Sequence, residues 1–307
     1  MELVLAQPRG FCAGVDRAIE IVERALERFG PPVYVRHEIV HNQHVVDDLR
    51  ARGAIFIEDP ADAPQGAVLV FSAHGVSPAV KQAAETHELR VIDATCPLVT
   101  KVHVETRRLA KDDFEIVMIG HAGHVEVEGT MGQAPERMHL VETVADVEKL
   151  ELRNPERVGC VTQTTLSVDD TREILAALQE RYPAIRVPRK DDICYATQNR
   201  QDAVKLLAAD AQLVFVIGAP ASSNSNRLVE VARRLGARAY LVQDESEIVP
   251  AWLEGAETIG ITAGASAPEH LVQSVVKRLH ELAPGARLRQ QPEVDEGVVF
   301  QLPSLLR

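Results

Sequence analysis

Short apolar runs alternate along the chain with segments whose apolar residues recur at helical spacing. Residues 3–6 form the first run. Residues 16–29 then carry Ala18, Ile19, Val22, Ala25, Leu26 and Phe29 on one helical face, and Gly30-Pro31-Pro32 stops that helix. Further strand patterns fall at 33–35, 54–57, 67–71 and 90–94, then at 115–119, 157–161 and 185–187, then at 212–217 and 257–261. Ser77 before Pro78, and Ser167 three before Asp170, read as helix starts. The expected class is α/β with mainly parallel sheets.

The loops that follow the strands are polar and chemically pointed. One holds His41 and another His74. The loop after 115–119 packs His121, His124 and Glu126 among glycines, and the loop after 157–161 holds Thr164. Two later loops hold Ser222, Ser223 and Asn224, and Ser266. In open parallel sheets, ligands bind at this end of the strands. His121, His124 and Glu126 suit either metal ligation or a proton relay.

The order of cysteine, helix, strand, polar loop, helix, strand, polar loop, helix, strand occurs three times. Cys12, Cys96 and Cys194 hold the equivalent place in each unit, at intervals of single-sheet size. Three lobes are expected: 13–96, 97–193, and 194–286 completed by a strand from 1–12, with 287–307 as a tail that adds a strand and covers a neighbour. Packed in pseudo-threefold fashion as a trefoil, they would bring one thiolate each to a common centre. A tetrahedral structural zinc would want a fourth protein ligand, whereas a catalytic metal or an iron–sulfur cluster can leave one position for substrate. Cys160 lies mid-strand between Val158 and Val161 and reads as core packing.

Composition narrows the partners. Among 307 residues, 46% are hydrophobic and 25% charged, with a formal net charge of -12 and only 4% aromatics. A nucleic-acid surface needs basic patches and stacking rings, so none is expected. No apolar run is long enough to span a bilayer and no basic leader precedes one, so the expectation is a cytoplasmic protein without membrane contact. The loop donors are mostly neutral, with few Lys or Arg, and several stand at expected helix starts, where a phosphate or diphosphate would be at home. Taken singly, Ser222, Ser223 and Asn224 also fit a turn or cap, and Ser266 with Glu269 fits a capping box.

PRGFCAGV at Cys12, EIVHN at His41, SAHGVSP at His74, DATCP at Cys96, GHVEVEGTMGQ, TQTTLSVDDT, SSNSNRL and TAGASAPE occur in this order between Met1 and about Leu279. Together they resemble the 4-hydroxy-3-methylbut-2-enyl diphosphate reductase family. The resemblance implies a trefoil of three α/β lobes around one [4Fe-4S] cluster with an open apical iron, its ligands falling on Cys12, Cys96 and Cys194. It further implies an allylic diphosphate substrate held by His41, His74, His124, Thr164, Ser222, Ser223, Asn224 and Ser266. Glu126 would be the proton donor, with Thr164 and His124 in its network. Reductive dehydroxylation to isopentenyl and dimethylallyl diphosphate would follow, with electrons from a ferredoxin or flavodoxin. Without the resemblance, a zinc-dependent phosphoester hydrolase and a non-catalytic iron–sulfur sensor of an isoprenoid diphosphate remain open.

Overall fold

The computed structural model describes residues 1–188 and 191–307. Arg189 and Lys190, which the expected 97–193 lobe includes, lie outside the described residues. In chain order the elements are β1 (Glu2–Leu5), α1 (Ala13–Phe29), β2 (Val33–Arg36), α2 (Gln43–Ala51), β3 (Ala54–Ile57), β4 (Val68–Phe71), α3 (Pro78–Thr86) and β5 (Arg90–Asp93). They continue with α4 (Pro97–Lys111), β6 (Glu115–Ile119), α5 (Val125–Met131), β7 (Met138–Val141), α6 (Val144–Lys149), β8 (Val158–Thr162) and α7 (Val168–Arg181). The last are α8 (Tyr195–Ala208), β9 (Leu213–Ile217), α9 (Ser223–Arg234), β10 (Arg238–Val242), β11 (Thr258–Ala263), α10 (Glu269–Leu282) and β12 (Arg287–Gln290). The class is α/β, as the apolar runs predicted.

The strands form three parallel sheets, ordered β3-β2-β4-β5, β7-β6-β8 and β10-β9-β11-β1-β12. β2, β6 and β9 are each followed in sequence by an edge strand on one side, and the next strand returns on the other. The order therefore reverses between β2 and β4, between β6 and β8, and between β9 and β11. Such a reversal opens a crevice at the carboxyl ends of the two strands.

The chain divides into two compact units. One comprises 1–15, 41–45 and 195–299; the other comprises 16–40, 46–194 and 300–307. The first unit holds the five-stranded sheet with a core on each face. Leu3, Phe215, Ile261 and Val272 pack on one side, and Val4, Val204, Val216 and Leu228 on the other. The second holds the other two sheets. Val117, Cys160 and Leu178 cover one face of β6 and β8, and Leu109, Ile116 and Val161 the other. Burial on both faces is why β6, β8 and β9 have no exposed residue and read as continuous apolar runs.

Candidate functional site

Within the second unit, the crevice between β6 and β8 holds an acid. His124 caps α5 and Glu126 sits in its first turn; the His124 Nδ1 accepts from the Glu126 N–H at 3.2 Å. A ring nitrogen that accepts carries no proton, so a neutral His124 presents Nε2–H. Glu126 is 3% exposed. Its Oε1 accepts from the Thr164 N–H at 2.6 Å and its Oε2 from the Thr164 hydroxyl at 3.1 Å. Burial raises its pKa to about 7; the two Thr164 bonds oppose the rise, and nearby Asp192 adds to it. A carboxyl held near neutrality can both give and regain a proton.

Thr164 is fixed in turn, since its carbonyl accepts from the Cys194 N–H at 3.0 Å. Asp192, buried two residues before Cys194, accepts from the Thr162 N–H at 3.2 Å and from the Lys101 ammonium at 3.1 Å. The crevice between β2 and β4 places His74 on the loop after β4. Its Nδ1 shares a hydrogen bond with the Ser72 hydroxyl at 3.2 Å, and its ring meets that of His124 edge-on at 6.1 Å.

The first unit carries the polar cluster of the β9–β11 crevice. Ser222 caps the twelve-residue α9, and its Oγ accepts from both the N–H (3.3 Å) and the hydroxyl (2.9 Å) of Ser225. A side chain at Gly218 or Gly264 would lie within 2.2 Å of that Ser225 oxygen, so two backbone segments close on it. The result is a rigid helix start with Ser223 and Asn224 in its first turn. Both the amide nitrogen and the amide oxygen of Asn224 are shut off from solvent and lack hydrogen-bond partners among the described residues. Ser266, buried after β11, donates to the main-chain carbonyl of His41 at 3.0 Å and so holds the His41 segment in this unit. It does not cap α10, whose cap is Pro268, so the capping-box alternative falls.

Buried donors left unpaired cost about 1–3 kcal/mol each. Asn224→Ala should therefore leave substrate-free thermal stability equal or higher, while raising KM for a diphosphate substrate by roughly tenfold or more, the loss expected of one charge-assisted hydrogen bond. Thermal melts and steady-state kinetics on the same preparation check both halves.

Each of the three repeat cysteines directly precedes a long helix. Cys12 precedes α1, Cys96 caps α4 with Pro97 at its first position, and Cys194 precedes α8. All three are half-buried, and helix starts favour thiolates. Cys160 is instead 1% exposed in the middle of β8, where burial pushes its thiol pKa up, so it is core, as its flanking valines indicated. Three half-buried thiols on rigid helix starts, with the Arg17 guanidinium electrostatically coupled to Cys96, suit a soft metal centre such as iron–sulfur.

Sequence reasoning missed Asp192 and Ser225, along with two arginines described below. Ser225 lay inside a quoted motif, but only the close backbone approach reveals its role.

A parallel α/β protein with a near-neutral buried acid, an anion-ready helix start and three repeat-equivalent thiols belongs to a class equipped for proton-coupled chemistry on an anionic substrate. The LytB protein family matches residues 3–280. Proteins named 4-hydroxy-3-methylbut-2-enyl diphosphate reductase are similar over nearly the whole chain: 61% identical in Ralstonia nicotianae, covering 98% of this chain and 93% of that protein, and 60% in Azoarcus sp., covering 100% and 98%. The solved structure of the E-1-hydroxy-2-methyl-but-2-enyl-4-diphosphate reductase from Plasmodium falciparum superposes with a TM-score of 0.95 at 41% identity, covering 99% of this chain and 96% of that one. A second solved structure, of an (E)-4-hydroxy-3-methyl-but-2-enyl diphosphate reductase, gives 0.65 at 32%, covering 92% and 100%. The chain belongs to the LytB family.

Proposed function

We propose that this chain reduces (E)-4-hydroxy-3-methylbut-2-enyl diphosphate to isopentenyl and dimethylallyl diphosphate, consuming two electrons and two protons and releasing water. The observation that carries the reading is Glu126, a buried carboxyl with both oxygens on Thr164 and a pKa near 7. Breaking a carbon–oxygen bond reductively needs the oxygen protonated as it leaves, and a buried acid poised near neutrality meets that need.

In this reading Cys12, Cys96 and Cys194 hold a [4Fe-4S] cluster whose remaining iron is open. Once bound, the cluster supplies electrons and a Lewis-acid position beside the substrate hydroxyl. The protein's own residues do the rest. Oε1 of Glu126 is occupied by the Thr164 N–H, so a proton on this carboxyl sits on Oε2; the Thr164 hydroxyl, which donates to Oε2 when Glu126 is ionised, then accepts from it at 3.1 Å and passes its own proton on. His124 orients the turn that holds Glu126 and keeps Nε2–H as a donor. The diphosphate is bound by Ser222, Ser223 and Asn224 at the start of α9, by Ser266, and by His41, His74 and His124. In this reading the orphaned amide nitrogen of Asn224 donates to the bound diphosphate.

Electrons come in this reading from a small donor of the ferredoxin or flavodoxin type. No helix among the described residues is long and apolar enough to cross a membrane. Anaerobic purification followed by iron and sulfide analysis tests the cofactor assignment. Roughly four of each per chain is expected for a cubane cluster, and a colourless protein holding stoichiometric zinc would overturn it.

A further inference from the structure

Two arginines, the buried Arg200 and the half-buried Arg17, do the same thing in different parts of the chain, and both end on the C-terminal tail. In the first unit Arg200, on α8, is 0% exposed. It donates to the Gly10 carbonyl from Nε (3.0 Å) and Nη2 (2.8 Å), to the Phe11 carbonyl (3.1 Å) and to the Ala196 carbonyl (3.0 Å). Its charge is met by Glu296 of the tail at 3.0 and 3.3 Å, and Asn199 also donates to Glu296. Gly10 bends the chain here at a φ of +68°, where a side chain would approach the Ala267 carbonyl at 3.1 Å.

In the second unit Arg17, on α1, donates to the carbonyls of Ala94 (3.4 Å) and Thr95 (3.2 Å), and its Nε donates to the main-chain carbonyl of Gln301 in the tail (2.9 Å). Gly10-Phe11 and Ala94-Thr95 are the two residues directly before Cys12 and Cys96.

The consequence is geometric. The carbonyl of the Phe11–Cys12 peptide is held by Arg200, and its N–H donates to the Ala265 carbonyl at 3.3 Å. The carbonyl of the Thr95–Cys96 peptide is held by Arg17, and its N–H donates to the Ala73 carbonyl at 2.9 Å. With both ends of the peptide fixed, the plane from which the cysteine side chain departs is fixed too. A guanidinium with 0% exposure is tolerated only while its counter-charge and acceptors stay in place. Glu296 is that counter-charge, and the Gln301 carbonyl is one of three acceptors on Arg17. The segment before Cys194 is held differently: Lys101 donates to the Asp191 carbonyl and the Asp192 carboxylate, each at 3.1 Å.

We propose that the C-terminal tail locks these two arginine clamps, through Glu296 on Arg200 and through the Gln301 carbonyl on Arg17, and thereby sets how tightly Cys12 and Cys96 retain the metal group. This rests on the reading of these cysteines as ligands. Arg200, Arg17 and Glu296 are positioning residues, acting through the cysteine peptides rather than on substrate.

The test uses the full chain, first iron-free, by amide hydrogen exchange, and then iron-loaded, by the rate at which excess chelator removes iron. Glu296→Ala should speed exchange at the Cys12 amide by roughly tenfold or more, the loss of one charge-assisted bond, and leave the Cys96 and Cys194 amides unchanged. A chain ending at Val299 should do the reverse, speeding Cys96 and sparing Cys12. Leu306→Ala removes a buried tail side chain but keeps the Gln301 carbonyl, and should reproduce neither effect. Iron release should quicken several-fold in the first two variants. Exchange and release matching wild type, or acceleration spread evenly over all amides, would overturn the inference alone. Wild-type protein that takes up no iron would remove the ligand reading, and the inference with it.

Discussion

Glu126→Gln should bind substrate with little change in KM and turn it over roughly 10²–10⁴-fold more slowly, the range lost when a positioned general acid is removed. Gln can keep the local hydrogen bonds, its amide oxygen on the Thr164 N–H and its amide nitrogen on the Thr164 hydroxyl, so the loss isolates the proton. The pH dependence should identify the same group. Burial lifts the Glu126 pKa to about 7 from an ordinary 4.5, against the Thr164 bonds and with help from Asp192. In wild type kcat should therefore fall as pH rises through about 7, and the variant should lack that limb.

Stability falls over the same pH range. The folded state holds a proton between the ordinary and the raised pKa. Its contribution is full below about 4.5 and lost as pH rises through about 7, where the buried carboxylate must ionise. Glu126→Gln should melt higher than wild type at pH 8 and match it at pH 4.5. Wild-type-like turnover would remove Glu126 from the chemistry.

Cys96→Ser should lose most of the iron bound after anaerobic loading, because a serine hydroxyl is a poor substitute for a thiolate toward a soft metal centre. Cys160→Ser should lose none. It should instead destabilise the fold by about 1–3 kcal/mol, since it places a hydroxyl in the apolar cluster around Val117 and Val158. The two changes thus separate ligation from packing. Iron analysis beside thermal melts reads the difference, and equal iron loss in both would mean that the wrong thiols have been assigned.

The three-sheet plan was legible because its central strands β4, β6, β8 and β9 are buried along their whole length and leave apolar runs, of which 116–119 and 213–217 are the clearest. The strands that escaped, β7 and β10, are sheet-edge strands with mixed burial. Residues 185–187 read as a strand, but only an isolated parallel bridge between Gly159 and Arg186 forms there.

At the site, residue types on loops after strands were readable, and the eight motifs pointed to the family. The positioning shell was not. Arg200 meets Gly10 190 positions away, Arg17 meets Thr95 78 positions away, and each bond is made to a backbone carbonyl that carries no side-chain signal. Ser266 illustrates the same limit: its spacing to Glu269 suggested a cap, yet its hydroxyl is used on a carbonyl 225 residues distant. The orphaned Asn224 amide is likewise a property of packing, invisible in a sequence that offers Asn at an ordinary helix start.

The measurement closest to the central claim is the anaerobic count of reducing equivalents against product. The protein would be given (E)-4-hydroxy-3-methylbut-2-enyl diphosphate and a reduced viologen dye. Two electrons consumed for each molecule of isopentenyl or dimethylallyl diphosphate formed, with the diphosphate intact, is the predicted result. Release of phosphate without oxidation of the dye, or no turnover by iron-loaded protein, would contradict it.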